Sequence, residues 1–215
     1  FTVDSDNIAI SPNSTTVVNA KAAGGIDIID PLTALQTPIG SSLTFSTTPD
    51  GANITPDGTL VVFVSSADLI NSNSGLSLQI YTLTTDGVTD IVTQVTNFAS
   101  SSELASAHLA LSGDGATVFF NSTFDVLNDG SNADGSDELF SINIDGSNLS
   151  QITDSATDIG MIIEMETDNS GSKVVLLRDS SLVYNLHTVN TSTGVSVFIS
   201  EIKTTGWGVP IGGAV

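Results

Sequence analysis

A short phrase returns along this chain at a nearly constant interval. Gly58-Thr-Leu-Val-Val-Phe63 reappears as Gly115-Ala-Thr-Val-Phe-Phe120 and again as Gly171-Ser-Lys-Val-Val-Leu176, at steps of 57 and 56 residues. Other landmarks move with it. Asp68-Leu-Ile-Asn71 matches Asp125-Val-Leu-Asn128, Ile80-Tyr81 matches Leu139-Phe140, Asp86-Gly87 matches Asp145-Gly146, and Gln94-Val-Thr96 matches Gln151-Ile-Thr153. A fainter copy, Ser11-Pro12-Asn13-Ser14, precedes Thr55-Pro56-Asp57-Gly58 by 44 residues. Self-similarity at this period restricts the fold more than any composition figure does. Each copy must be one supersecondary unit that cannot bury its apolar surface alone and so stacks on its neighbours.

Within a copy, apolar residues come in short runs rich in Val, Ile, Phe and Thr, bounded by Gly, Asn and Asp. That is the pattern of strands and turns. In the third copy the spacing predicts strands over 107–111, 117–121, 138–144 and 149–153. Asp-Gly pairs at 57–58 and 114–115 predict type I′ hairpin turns, in which both central residues take positive φ. Helical periodicity is confined to 101–108. Four short antiparallel strands per unit predict an all-β chain, a β-propeller of four-stranded blades. About four blades fit, over 1–50, 51–100, 101–154 and 155–203, with a tail at 204–215. Val61, Phe63, Val118, Phe120, Val174 and Leu176 are expected on the faces where blades meet.

Thr-Pro-Asp-Gly followed by Val-Val-Phe-Val-Ser-Ser-Ala-Asp-Leu resembles the WD40-like repeat of TolB-type β-propellers. So does Ser-Gly-Asp-Gly followed by Val-Phe-Phe-Asn-Ser, Asp-Glu-Leu-Phe-Ser and Gln-Ile-Thr. The resemblance implies that the Asp-Gly hairpin joins the first two strands of a blade. It is carried by 51–154, extends through 155–200, and is faint over 1–50. The outer copies depart from the motif, with Asn13-Ser14 and Ser170-Gly171 where Asp-Gly stands elsewhere. Propellers of this family usually close with six to eight blades. Four units are therefore expected to form a compact four-bladed ring, part of a larger ring, or an open array completed by another copy. An open array leaves strand edges available to other chains.

Charge excludes several functions. With 4 Lys and Arg against 24 Asp and Glu, the net charge is −20. The basic residues Lys21, Lys173, Arg178 and Lys203 are scattered, so neither a phosphate-binding surface nor a polybasic membrane patch can form. Cysteine is absent, which removes disulfides, thiolate metal sites and a cysteine nucleophile. No apolar run approaches the length that spans a bilayer, so no membrane insertion is expected. The opening Phe-Thr-Val-Asp-Ser-Asp has no leader pattern. A surface of Ser, Thr, Asn and Gly points to an extracellular, cell-surface or periplasmic setting. Acid excess also keeps a halophilic protein soluble, but Asp supplies 19 of the 24 acids and the usual Glu richness is missing.

Individual sites carry less. The stretch Asn128 to Glu138 is rich in oxygen ligands. Asp129, Asn132, Asp134 and Asp137, with Gly130 and Gly135 for sharp turns, suit Ca²⁺. The same residues also suit a solvated loop that uses Asn, Asp and Gly for backbone reasons. Ca²⁺ is the one cofactor the residues suggest. Glu164 and Glu166 sit at i, i+2, on one side of a strand and facing solvent. Glu103 with His108 is the other acid–base candidate. His108 and His187 lie in alternating strands and are expected to be structural. No nucleophile elbow or phosphate-binding glycine loop occurs, so no catalytic residue is assigned. Sequons at Asn13, Asn53, Asn121, Asn148 and Asn190 permit glycosylation. Phe1 and Trp207, in the terminal segments, are candidate interface anchors. The expectation is a non-enzymatic module for self-assembly or protein recognition, its partners proteins or copies of itself. A propeller domain of a secreted carbohydrate-active enzyme and a Ca²⁺-dependent adhesion module are the rivals.

Overall fold

The computed structural model describes residues 5–11, 16–21, 25–40, 43, 50–85, 91–99, 108–155, 160–180 and 183–203. These hold sixteen strands in four separate four-stranded sheets, each an antiparallel meander in chain order, and no helix. Blade 1 is β1 (Ser5–Ile10), β2 (Val17–Lys21), β3 (Ile26–Ile29) and β4 (Gln36–Ile39). Blade 2 is β5 (Asp50–Ile54), β6 (Leu60–Ser65), β7 (Gln79–Thr84) and β8 (Val92–Gln94). Blade 3 is β9 (Leu109–Leu111), β10 (Thr117–Ser122), β11 (Glu138–Asn143) and β12 (Ser150–Gln151). Blade 4 is β13 (Met161–Thr167), β14 (Lys173–Asp179), β15 (Val183–Asn190) and β16 (Ser196–Lys203). The all-β propeller architecture expected from the repeat is therefore present. The helical segment expected at 101–108 lies outside the described residues except for His108, which is not helical.

Alternation along each second strand explains how the blades stack. Val61 and Phe63 pack toward blade 1, in a core with Val18, Ala20 and Ile26. Their neighbours Val62 and Val64 point the other way, into a core with Leu109, Val118, Phe120 and Phe140 of blade 3. Phe119 turns toward blade 4 and joins Ile162, Met165, Val174 and Leu176. Val61, Val118 and Val174 thus hold equivalent places, each facing the preceding blade and each fully buried. Every interior sheet is apolar on both faces because both faces are covered. Stacked ring pairs fill the cores: Phe63 with Tyr81 at 5.8 Å, and Phe120 with Phe140 at 5.6 Å.

The repeated glycines need both their position and their lack of a side chain. The turns are not type I′: Gly58 and Gly115 have φ of +73° and +74°, but Asp57 and Asp114 do not take positive φ. Instead the Gly58 N–H donates to Thr55 O (2.9 Å) and the Gly115 N–H to Ser112 O (2.7 Å). The aspartate acts as a clamp. Asp57 accepts from the Thr55 hydroxyl (2.7 Å) and the Thr59 N–H (3.1 Å), and Asp114 accepts from the Ser112 hydroxyl (2.6 Å) and the Ala116 N–H (3.0 Å). Blade 1 keeps one element of this, with the Thr16 N–H donating to the Ser11 hydroxyl (3.1 Å). In blade 4, Asp168 stands where the hydroxyl stood and takes the Lys173 N–H (3.2 Å). Each turn also packs on the turn of the blade before it. A Cβ on Gly115 would come within 2.9 Å of the Pro56 ring, and one on Gly171 within 3.1 Å of Ser112.

Candidate functional site

The first strand of each blade faces a shared cleft of about 820 Å³. Its walls are Ile8 to Ile10 of β1, Gly51 to Ile54 of β5, the start of β9, and β13. The cleft gathers three titratable side chains: His108 before β9, and Glu164 and Glu166 of β13. Both glutamates are exposed while Met165 between them is buried, as the alternation predicts. Partial burial, and then the neighbouring Glu164 carboxylate, push Glu166 above its ordinary value of 4.5. Ile8 and Ile10 add an apolar wall, 55 % and 58 % exposed. Glu103, expected beside His108, lies outside the described residues. His187 is elsewhere, in β15, edge-on to Phe198 with ring centroids 5.6 Å apart. Burial, and then the Arg178 charge, hold its imidazole below 6.5.

The structure divides the candidate ligands of the acid-rich loop between the surface and the interior. Among the described residues no group of three or more His, Asp or Glu side chains stands in position to hold a metal ion. Asp129 and Asp134 are exposed, and each closes a local turn. Asp129 accepts from the Ser131 N–H (2.9 Å), and Asp134 from the Ser136 N–H (3.1 Å). Asn132 is buried and ties the loop together, its amide donating to the Ser136 carbonyl (3.1 Å) while the Ser136 hydroxyl donates back. Asn73 does the same in blade 2, donating to Ser77 O at 2.8 Å. Asn132 thus belongs to the repeat.

Asp137 faces the opposite way, into the junction of blades 3 and 4. Its carboxylate accepts from the Asn121 amide (2.9 and 3.0 Å) and from the Ile162 N–H of blade 4 (2.6 Å). Beside it Arg178, 1 % exposed, donates through Nη1 to the carbonyls of Asp137 and Gly160, both at 2.9 Å. Burial raises the Asp137 carboxyl above 3.8. The Ile162 and Asn121 hydrogen bonds and the Arg178 charge oppose that rise. Asn121 is therefore consumed by the fold, and its sequon is closed to modification in the folded chain. Asn53 is committed too, its amide donating to Leu109 O of the next blade at 3.0 Å. Asn148 is exposed at a hairpin tip. Sequence reasoning missed this junction, because nothing in the spacing of Asn121, Asp137 and Arg178 marks them as one cluster.

The outermost blade carries the other candidate surface. Val174 and Leu176 of β14 are fully buried against blade 3, whereas Val175 between them is 38 % exposed. Val175 pairs with Glu166 and Thr188, Leu177 with Glu164 and Leu186, and Asp179 with Met161 and Tyr184, so these side chains share the second face of the sheet, which continues from the two glutamates of the cleft. Leu177, Leu186 and Tyr184 are half-buried. Four blades make three cores. Among the described residues none joins blade 4 to blade 1. The outer face of blade 1 differs: Asn19, Asp27 and Ile29 are buried, and Lys21 pairs with Asp27 at 2.9 Å. Phe1 and Trp207, the expected anchors, lie outside the described residues.

No protein-family profile matches the sequence, and no curated protein matches it. Solved structures do. TolB from Acinetobacter baumannii superposes with a TM-score of 0.64 at 17 % identity, covering 92 % of this chain and 44 % of its own. The hydrazine synthase of Kuenenia stuttgartiensis gives 0.62 at 13 % identity, over 94 % of this chain and 51 % of that one. The structure of a nidogen/laminin complex gives 0.62 at 11 % identity, over 92 % and 64 %. This chain thus spans about half the length of the first two. One match is an enzyme and another a protein–protein complex, so the shared fold does not by itself select a function. What the matches and the four meander sheets establish together is that this chain has a TolB-like β-propeller fold, in four blades.

Proposed function

We propose that the chain is a non-enzymatic protein-recognition module working outside the cytoplasm, with the second face of blade 4 as its recognition surface. The observation that carries this is the contrast within β14, where Val174 and Leu176 are fully buried and Val175 is not. An interior blade has both faces covered; among the described residues the second face of blade 4 is open, and it sets Val175, Leu177, Leu186 and Tyr184 beside the carboxylates of Glu164 and Glu166. A protein surface with an apolar centre and hydrogen-bond donors opposite the two glutamates would cover this face as blades cover one another. The nidogen/laminin complex among the structural matches supports protein recognition as a use of this fold. The lysine-poor, acid-rich surface supports a setting outside the cytoplasm.

The test is a binding screen against extracellular proteins and glycans, with hydrolysis of glycans and peptides followed in parallel. The expected result is retention on a protein ligand that is lost in Leu177→Asp, with no turnover. Turnover abolished by Glu164→Gln, in the cleft, would replace this reading with an enzymatic one.

A further inference from the structure

The open face of blade 4 is charged as well as apolar, and the placing of its charges narrows what can cover it. Alternation along β14 puts Lys173, Val175, Leu177 and Asp179 on one side of the sheet. Glu166 lies across from Val175, and Glu164 across from Leu177. Along β13 and β14 the face therefore carries three carboxylates against one ammonium. Lys173 forms no salt bridge among the described residues. No hydrogen bond or ion pair from the described residues reaches the Glu166 carboxylate, and Glu164 accepts only from its neighbour, the Met165 N–H (3.3 Å). One Asp179 oxygen, Oδ1, is buried with no hydrogen-bond partner. Apolar surface flanks the two glutamates: Val175 and Leu177 across the strand, and Ile8 and Ile10 in the cleft.

We propose that the partner of this face is a basic segment of another protein, which sets a lysine or arginine against Glu164 and Glu166 and apolar side chains over Leu177 and Leu186. The basic partner presupposes that this face is the recognition surface proposed above. Charge complementarity selects it. Covering the face takes the glutamates out of water, which is costly unless cations pair with them, and this chain places no salt-bridged base beside them. The surroundings favour Lys or Arg over a small inorganic cation, because a long aliphatic stem packs on apolar surface while its head reaches a carboxylate. Strand spacing sets the order of residues. Neighbouring strands lie about 4.8 Å apart, so Leu186 of β15 is about 10 Å from the glutamate row of β13. An extended segment that crosses the strands repeats its same-side residues about every 6.7 Å, and so places a basic residue over β13 and apolar ones over β14 and β15. The field of a −20 chain draws such a segment in and repels an acidic one.

The test titrates the isotope-labelled chain, followed by NMR, with synthetic peptides capped at both ends: Lys-Ser-Leu-Ser-Leu, Ser-Ser-Leu-Ser-Leu and Glu-Ser-Leu-Ser-Leu. The expected result is that the lysine peptide binds at least roughly fivefold more tightly than the serine peptide, and the glutamate peptide least of all. The lysine peptide should shift the amides of Val175, Leu177 and Leu186. Glu164→Gln with Glu166→Gln, both at exposed positions, should erase the fivefold preference. Asp129→Asn with Asp134→Asn removes the same charge from an exposed loop and should keep it. The proposal is overturned if the lysine and serine peptides bind alike, if neither binds, or if the preference survives the loss of both glutamates. The recognition surface itself is decided separately. A protein ligand lost in Leu177→Asp but indifferent to Glu164→Gln with Glu166→Gln keeps the face as the recognition surface and removes its preference for a basic partner.

Discussion

At Gly115 two constraints meet on one residue. Its φ of +74° is a conformation that costs a residue with a Cβ about 1–2 kcal/mol. The added carbon would also press on Pro56 of the blade before, at 2.9 Å. Gly115→Ala should therefore lower stability by about 1–3 kcal/mol in denaturant melts. At Gly130, also at positive φ, an added methyl group would meet nothing within 4 Å, so the same change should cost only the backbone strain. The turn aspartates set the acid limit of stability. Asp114 is held below 3.8 by the Ser112 hydroxyl and then the Ala116 N–H, and Asp57 by the Thr55 hydroxyl and then the Thr59 N–H. A folded-state value below the unfolded one contributes stability that is present above 3.8 and lost as pH falls through the lower value. Asp137, raised by burial, runs the other way: its contribution is greatest below 3.8 and is lost as pH rises through its folded value. Asp114→Asn should thus flatten the fall in melting temperature below about pH 4, read by circular dichroism across a pH series.

At the scale of the element, the two central blades are built on one polar frame. Gln79 opens β7 and Glu138 opens β11, and both are buried. Gln79 accepts from the Thr96 hydroxyl (2.8 Å) and the Phe98 N–H (2.9 Å). Glu138 accepts from the Thr153 hydroxyl and the Ser155 N–H (2.6 Å). Thr96 and Thr153 in turn each accept a strand N–H, from Ile80 and Leu139, both at 2.9 Å. The landmarks matched in the sequence as Gln-Val-Thr and Gln-Ile-Thr are therefore pegs that end the fourth strand against the third. Because Gln79 fills the same role, Glu138→Gln should stay within about 1 kcal/mol of the parent. Glu138→Ala should cost about 2–4 kcal/mol, since it strands several buried donors at once. Urea melts of the two variants separate these outcomes.

For the whole molecule, charge dominates. Among the described residues a single salt bridge is formed, Lys21 with Asp27, and a partly exposed pair contributes about 0–1 kcal/mol. Against that stands the self-repulsion of a −20 chain. Screening both should therefore stabilise the fold on balance. The melting temperature is expected to rise as NaCl is raised from low ionic strength to about 0.5 M, where the Debye length is a few ångströms. A fall would show that specific ion pairs outweigh the repulsion. Salt should also strengthen any association of two copies, for the same reason.

The repeat, read as residues alone, determined the blade: four short strands, the place of the Gly turn, and the alternation that sends Val61, Val118 and Val174 to equivalent interfaces. Those properties are local, set by strand period and turn chemistry within one unit. The sequence also held the pegs, but as unexplained echoes. Tertiary structure decided what lies between units. It placed Asp137 at the centre of a buried junction with Arg178, closed the Asn121 sequon, and brought Glu164, Glu166 and His108 to one cleft. Among the described residues it also leaves one face of blade 4 open. Such contacts join residues up to 41 positions apart in the junction of blades 3 and 4, and their energies depend on how sheets stack, which no pattern within a single repeat records.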